Sequence, residues 1–232
     1  MLWTLRLLPL GAANAFARLC TRILDKAVPK LRRVASINLS FALPALASTE
    51  RSKIIDGVFE SIARLLVSFA KLPDINRANV NAWIRYEGLE HYQRAKAKSR
   101  GVLVATAHLG NWELSAFSHA LMTEPMCVMV RPLDNPLVDE LVENRRSLSG
   151  NKLFLKKDAA RLVVRALRNN EAVGILIDQN TSAEEGVFID FFGVPACASA
   201  AFAKLASHTG AAVVPGFAFW EQTERKYVLR FY

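Results

Sequence analysis

The 232-residue sequence has only three cysteines, Cys20, Cys127 and Cys197, and they are widely spaced. Neither a disulfide framework nor the short spacing of a zinc site can be read from them. The histidines also lack partners at metal-ligand spacing, since His108 and His119 would lie about 16 Å apart along a helix. We therefore expect a reducing compartment and no metal site.

Three common catalytic or nucleotide-binding signatures are absent from the sequence. There is no G-x-S-x-G nucleophile elbow of the kind that serine hydrolases use. There is also no P-loop and no G-x-G-x-x-G dinucleotide fingerprint. These absences argue against a serine hydrolase and against nucleotide chemistry. No internal repeat or flexible linker divides the chain, whose length suits one large α/β domain.

An uninterrupted apolar run long enough to cross a membrane is missing as well. The uncharged stretch from Leu7 to Ala17 is broken by Pro9 and Asn14 and is followed by Arg18. A membrane-spanning helix needs about 20 apolar residues. The pattern favours an amphipathic helix that lies at a membrane interface. A helix packed at the edge of the domain is the alternative.

Acidic residues are scarce near the N-terminus, where residues 1–53 hold nine Lys and Arg against Asp25 and Glu50. This region therefore carries +7 of the chain's net charge of +9. A basic and apolar region predicts contact with an anionic membrane surface. Nucleic acid is the rival partner, but aromatic residues are not interleaved with the basic ones as stacking platforms would require. We therefore expect no nucleic-acid binding.

Helical and strand patterns alternate along the chain. Strands alternating with helices predict an α/β fold with a mainly parallel central sheet flanked by helices. We divide the chain into an N-terminal helical, membrane-interface region (1–72) and an α/β domain (73–232). Because the chain stops inside an apparent strand, we expect this domain to be truncated at its C-terminus. The predicted helices are 12–27, 49–71, a basic helix after Gly88 within residues 80–100, 112–122, 136–148, 158–169 and 197–209, and the predicted strands are 83–86, 101–107, 126–130, 172–177, 211–214 and 226–232.

The most informative motif is the stretch from His108 to Glu113, which follows the apolar run 101–107. Open α/β sheets place their chemistry at the end of a strand. Five helical residues turn through about 500°, so these two side chains can meet only if a helix begins between them. Gly110 and Asn111 favour such a start. We predict that Glu113 fixes the tautomer of His108 and leaves its other nitrogen as a base. A turn histidine beside a dipole-compatible glutamate is the alternative.

Further blocks occur in order around this pair, and together they carry a family resemblance. The chain resembles the bacterial lipid A late acyltransferases, which are lauroyl and myristoyl transferases of the glycerolipid acyltransferase-like superfamily. The H-x-x-x-x-E pattern alone is weakly specific, whereas the ordered set is far stronger and covers nearly the whole chain. The blocks are Arg32–Leu39, Val130–Pro136, Ile177–Asn180, Phe188–Gly193 and Val213–Pro215.

The resemblance implies transfer of a fatty acyl group from acyl carrier protein to a hydroxyl of a lipid A precursor, at the cytoplasmic face of the inner membrane. By position, His108 is the general base and Glu113 orients it. The substrate-binding positions are Arg131, Arg146 and Asp178. No cofactor is implied beyond the acyl thioester on its carrier protein. The family's C-terminal portion, which is rich in Trp and Arg, is absent from this sequence.

The chemistry of these residues is compatible with that activity. A thioester is already activated, so an alcohol aided by a base can attack it directly, and the base contributes roughly 100- to 10,000-fold. Backbone N–H groups after Gly110 are expected to stabilise the oxyanion. Arg131 and Arg146 suit phosphate groups, although Arg146 could also lie on a solvated helix face. Asp178 could instead be a helix cap or a turn residue.

Two other functions remain open from the sequence. The same dyad could acylate a different acceptor, such as a lysophospholipid or a phosphoinositide mannoside glycolipid. A non-catalytic membrane-surface protein that binds lipid or carrier protein is the third candidate. It would keep the basic N-terminal region and would not need His108.

Overall fold

The computed structural model describes residues 1–155 and 159–232. The chain divides into two compact units. Residues Met1–Lys71 and Phe188–Cys197 form the first, which we call the helical unit. Residues Leu72–Val187 and Ala198–Tyr232 form the second, which we call the sheet unit. Asp158, the predicted first residue of one helix, lies outside the described residues.

The helical unit is built from α1 (Leu2–Leu7), α2 (Leu10–Ala27), α3 (Pro29–Ala42) and α4 (Ser48–Lys71). Small residues dominate its buried core, so the helix backbones can approach closely. The Lys71 ammonium donates to the carbonyl oxygens of Arg6 (2.6 Å) and Leu8 (2.8 Å), next to the end of α1. Helix α3 was not predicted. It begins at Pro29, a residue suited to the first position of a helix.

Helices α1, α2 and α3 leave many apolar side chains exposed. Basic side chains are exposed on the same helices, among them Arg18, Arg22 and Lys26 of α2. Among the described residues, no helix is both long enough and apolar enough to span a membrane. Membrane association of this region stays a prediction. The exposed apolar side chains are Met1, Trp3, Leu7, Leu10, Leu19, Ile23, Leu24, Leu31, Val34, Ile37 and Phe41.

The strands β6 (Gly186–Phe191) and β7 (Val194–Ser199) form a two-stranded sheet of their own. Phe192 and Gly193 make the turn, and both have positive φ angles of 55° and 78°. The prediction placed a helix over 197–209. The helix begins only at Ala201, because the preceding residues complete the hairpin.

Within the described residues, seven strands of the sheet unit form one sheet in the order β1-β9-β8-β2-β5-β3-β4. All neighbouring pairs are parallel except β8 and β9. The predicted mainly parallel sheet flanked by helices is therefore confirmed. The strands are β1 (Ile84–Glu87), β2 (Val102–Thr106), β3 (Cys127–Val130), β4 (Lys152–Leu155), β5 (Ala172–Leu176), β8 (Ala212–Glu221) and β9 (Lys226–Phe231), and the helices are α5 (Leu89–Lys96), α6 (Trp112–Met122), α7 (Pro136–Ser147), α8 (Ala159–Arg168) and α9 (Ala201–Thr209).

Central strands β2 and β5 are almost wholly apolar and buried, as expected for parallel strands covered on both faces. Their side chains join those of α8 in a cluster that includes Leu103, Val163, Leu167 and Val173. This core fixes the register in which Thr106 of β2 lies beside Leu176 of β5. The two strands therefore end together, and the residues after them come to the same edge of the sheet.

Strand β8 is longer than predicted. The prediction ended it before Pro215, but the strand continues through that residue to Glu221. Pro215 lacks an N–H group, yet it lies beside Ala105 of β2, and its carbonyl accepts from the N–H of Tyr232 (3.0 Å). Pairing with β9 begins at the next residue, Gly216.

Candidate active site

His108 lies in a short loop between β2 and α6, at the carboxyl edge of the sheet. Gly110 in this loop has a φ of 68°, and a β-carbon there would overlap the carbonyl oxygen of Ala218. The N–H of Asn111 donates to that same oxygen (3.0 Å), and the buried Asn111 side chain accepts from the N–H of Leu114 (3.0 Å). The predicted helix start between His108 and Glu113 is confirmed, since α6 begins at Trp112.

Asp178 is the carboxylate that contacts His108. Its Oδ1 lies 3.0 Å from the imidazole Nδ1, and its Oδ2 accepts from the His108 backbone N–H (2.9 Å). Both residues lie two positions beyond the neighbouring pair Thr106 and Leu176, so strand pairing brings them together. The Trp112 ring meets the imidazole edge to face, with centroids 4.9 Å apart. These contacts hold Nδ1 as a donor and leave Nε2 as the acceptor.

Glu113 forms a two-point ion pair with Arg146 of α7. Arg146 Nε donates to Oε2 (2.9 Å) and Nη2 donates to Oε1 (2.5 Å), while the Trp112 indole N–H also donates to Oε1 (3.2 Å). The side chains of Glu113 and Arg146 are only 12% and 23% exposed. Burial is the largest single influence and opposes the charge of Arg146, but the hydrogen bonds to Glu113 and the negative charges of Glu113, Asp139 and Glu143 together outweigh it, so the pKa of Arg146 is raised. The pair ties the start of α6 to the end of α7.

The structure therefore brings the five predicted site residues together in a different pairing. His108 was expected to contact Glu113, whereas its observed carboxylate partner is Asp178 and Glu113 is engaged by Arg146. The helix start explains this, because it places Glu113 one residue into α6, where its side chain reaches α7. The catalytic and binding roles of these residues stay predictions.

A cavity of about 840 Å³ opens beside these groups within the sheet unit. His108, Glu113, Arg131 and Arg146 all contribute to its lining. Arg131 is exposed, and within the described residues no acidic side chain pairs with it. An apolar cavity with a few convergent polar groups is the usual form of a small-molecule site. Its apolar wall includes Val104, Phe117, Val128, Ile175, Leu229 and Phe231.

His119 also lines this cavity, and sequence reasoning considered it only as a metal ligand. It is 1% exposed, and burial lowers its pKa to about 4, so the ring is neutral at neutral pH. The Tyr86 hydroxyl lies 2.7 Å from its Nδ1, and the Tyr92 ring packs edge-on with centroids 4.5 Å apart. In the described parts of the chain, no cluster of three His, Cys, Asp or Glu residues could hold a metal.

Comparison with known proteins identifies the family to which this site belongs. The family model described as bacterial lipid A biosynthesis acyltransferase matches residues 1–232. A lipid A biosynthesis acyltransferase of Haemophilus influenzae is 28% identical over 200 residues, which is 85% of this chain and 62% of that protein. The lipid A biosynthesis palmitoleoyltransferase of Escherichia coli is 33% identical over 177 residues, 75% of this chain and 57% of that protein.

A third relative acts on another lipid. The phosphatidylinositol mannoside acyltransferase of Mycobacterium tuberculosis is 29% identical over 171 residues, 70% of this chain and 53% of that protein. The chain thus spans about six tenths or less of the length of these relatives. The family match, in contrast, extends over the whole chain and includes every residue of the cavity described above. The chain belongs to the bacterial lipid A biosynthesis acyltransferase family.

Proposed function

We propose that this protein moves a fatty acyl group from an acyl carrier protein thioester to a hydroxyl of a lipid A precursor, with His108 as the general base. One observation carries the proposal. Asp178 holds Nδ1 of His108 at 3.0 Å, and the histidine lines a largely apolar cavity of about 840 Å³. A fixed base beside an apolar cavity suits the attack of an alcohol on a fatty acyl thioester.

The reaction then needs no protein nucleophile. The acceptor hydroxyl gives its proton to Nε2 of His108 while its oxygen bonds to the thioester carbonyl carbon. The C–S bond breaks, and the leaving thiolate receives that proton from the imidazolium. Asp178 stabilises the imidazolium through Nδ1, as a carboxylate does for a catalytic histidine.

The oxyanion formed during the attack needs hydrogen-bond donors. At the start of α6, the N–H of Asn111 donates to the Ala218 carbonyl, and the N–H of Leu114 donates to the Asn111 side chain. Within the described chain, no acceptor is found for the N–H groups of Trp112 and Glu113, two residues that line the cavity. We propose that these two donors stabilise the oxyanion, aided by the helix dipole.

Glu113 and the two arginines have different proposed roles. Both carboxylate oxygens of Glu113 accept hydrogen bonds from Arg146. The proposed role of Glu113 is therefore to hold the start of α6 and the arginine in place. Arg131 lines the cavity without an acidic partner among the described residues, and it suits a phosphate of the acceptor or the carrier. The alternative is the predicted dyad, in which Glu113 leaves Arg146 and orients His108 during turnover.

A reconstituted transfer assay tests the chemistry. The purified protein is incubated with acyl carrier protein thioesters and a lipid A precursor, beside His108→Ala, Asp178→Asn and Glu113→Gln. Loss of a hydrogen bond to a charged group removes about 1.5–3 kcal/mol. We therefore expect Asp178→Asn to lower kcat about 10- to 100-fold. Full transfer by His108→Ala would contradict the mechanism. A larger kcat loss in Glu113→Gln than in Asp178→Asn would favour the Glu113 dyad.

The lipid that accepts the acyl group is the least constrained part of the proposal. The similarity to a phosphatidylinositol mannoside acyltransferase favours a second candidate, the same transfer to a mannosylated phosphoinositide. Parallel assays with that glycolipid and with a lysophospholipid separate these acceptors. Transfer to either one, but not to a lipid A precursor, would refute the preferred acceptor. A wild-type protein that binds these lipids and transfers nothing would support the non-catalytic alternative.

We further propose that the protein acts at the cytoplasmic face of the inner membrane, held by α1, α2 and α3. The support is the combination of exposed apolar side chains and exposed cations on these helices. Such helices bind anionic bilayers through buried apolar area plus electrostatic attraction. Sedimentation with phosphatidylglycerol vesicles measures this. A Leu19→Glu, Ile23→Glu variant that still sediments fully would contradict it.

A further inference from the structure

Helix α8 has one buried face and one cationic face. Its buried face joins a hydrophobic core cluster of the sheet unit. The opposite face presents the exposed side chains of Arg161, Arg165 and Arg168. These positions fall within about 60° of one another around the helix and extend along about 10 Å of its axis. We call these three residues the α8 cationic face.

This face carries concentrated charge that the rest of the described chain does not neutralise. Within the described residues, no acidic side chain forms an ion pair with Arg161, Arg165 or Arg168. Like charges three or four residues apart destabilise a helix by about 0.2–0.5 kcal/mol per pair. The arrangement is therefore slightly unfavourable in the isolated protein. A partner with complementary negative charge would remove that repulsion.

The α8 cationic face lies one helix away from the active-site cavity. Helix α8 packs against α9. The first turn of α9 lines the cavity, and it includes the exposed Lys204. A shallow groove of about 500 Å³ runs along α8 itself. It is lined by Ala160, Arg161, Val164, Arg165, Arg168 and Asn169.

The chemistry of this face favours a soluble acidic partner over a bilayer. Interfacial helices insert large apolar side chains among their cations. On α8, the large apolar side chain that is exposed is Leu162, at 39%. Helices α1 to α3, by contrast, expose many such side chains. A cationic helix with little apolar surface suits electrostatic docking, which sets association rate and orientation.

We propose that the α8 cationic face docks the acidic surface of the acyl carrier protein that delivers the thioester. This rests on the proposed function, in which a carrier protein is the acyl donor. Acyl carrier proteins are small acidic proteins, so the charges are complementary. Docking on α8 would bring the carrier's thioester arm to the first turn of α9 and the cavity beside it.

Binding of holo-acyl carrier protein by calorimetry tests the proposal. The variant is Arg161→Glu/Arg165→Glu/Arg168→Glu, and the matched control reverses three other exposed cations of the sheet unit, Arg77, Lys98 and Arg225. Exposed ion pairs contribute about 0.2–1 kcal/mol each, and reversal adds repulsion. We expect the Kd to rise at least about 10-fold in the α8 variant and less than about 2-fold in the control, with a shallower salt dependence in the α8 variant. Equal Kd values, or equal losses in both variants, would overturn the proposal.

Kinetics and vesicle binding separate the remaining outcomes. With acyl carrier protein, the α8 variant should show a raised KM and an unchanged kcat. With acyl-coenzyme A at saturating concentration, it should match the wild type. If the variant loses phosphatidylglycerol vesicle binding but keeps its carrier affinity, the face binds lipid and the proposal fails. Failure of the proposed function has a different signature, because an absence of transfer by the wild type would leave the charge-dependent Kd intact.

Discussion

The ion pair between Glu113 and Arg146 offers a test of what holds the candidate active site together. Glu113 is 12% exposed and Arg146 23% exposed, and two hydrogen bonds of 2.9 and 2.5 Å join them. Removing one partner of such a pair leaves a largely buried charge alone, at a cost of about 3–5 kcal/mol when burial is complete. Partial exposure lowers this, so we expect Glu113→Gln to reduce the free energy of unfolding by about 2–3 kcal/mol.

The two single variants should differ in a definite order. Arg146→Met leaves the more buried Glu113 carboxylate with only the Trp112 indole N–H at 3.2 Å. It should therefore destabilise the protein more than Glu113→Gln does. The double variant buries no unpaired charge, so it should cost less than the sum of the single changes. We expect a coupling free energy of about 1.5–3 kcal/mol, the range seen for residues in direct contact.

Urea unfolding followed by circular dichroism measures these differences. With a slope of about 1–3 kcal/mol per molar urea, a change of 2–3 kcal/mol moves the midpoint by about 0.7 to 3 M. Glu60→Gln is the matched control, because Glu60 pairs with Arg64 at 3.6 Å and is 49% exposed. Its effect should stay within about 0.5 kcal/mol. Additive single effects, or losses no greater than that of the control, would refute the reasoning.

Two further predictions concern Gly110 and His119. Gly110→Ala must adopt a φ of 68° and push its β-carbon against the Ala218 carbonyl, so we expect acyl transfer to fall at least about 10-fold in a protein that stays folded. Gly57→Ala is the control, because its β-carbon meets nothing within 4 Å and transfer should stay unchanged. Equal activities in the two variants would contradict this prediction. The pKa of His119 is lowered from 6.5 to about 4 by burial, so its stabilising contribution is complete above pH 6.5 and is lost as the pH falls toward 4. That contribution is about 3 kcal/mol. The urea midpoint should therefore fall further between pH 7 and pH 4.5 in the wild type than in His119→Leu. Equal falls in the two proteins would argue against a neutral buried ring.

Local signals in the sequence predicted the elements around the site well. Gly110 and Asn111 gave the start of α6 correctly, because a glycine with free backbone angles and an N-cap side chain act within a few residues. The apolar runs of β2 and β5 are similarly local, and both strands lie within a residue or two of the predicted bounds. Alternation of these elements was enough to predict the mainly parallel sheet.

Features that depend on distant parts of the chain could not be predicted in the same way. The contact between His108 and Asp178 spans 70 residues and exists only because β2 and β5 are neighbours in a particular register. The antiparallel pairing of β8 with β9, and the extension of β8 through Pro215, likewise depend on what lies beside each strand. Strand β4 is a four-residue segment, which is too short for its period to be distinctive.

His108 and Asp178 follow two separate strands, so the distance between them depends on how the sheet is assembled. Because side chains alternate along a strand, a slip of one residue between β2 and β5 would exchange the two faces of the slipped strand. It would also move Asp178 by about 3.3 Å along the strand relative to His108. A misassembled sheet could keep its secondary structure and lose this alignment completely. Acyl transfer by a variant would then report on strand registration in a way that circular dichroism does not.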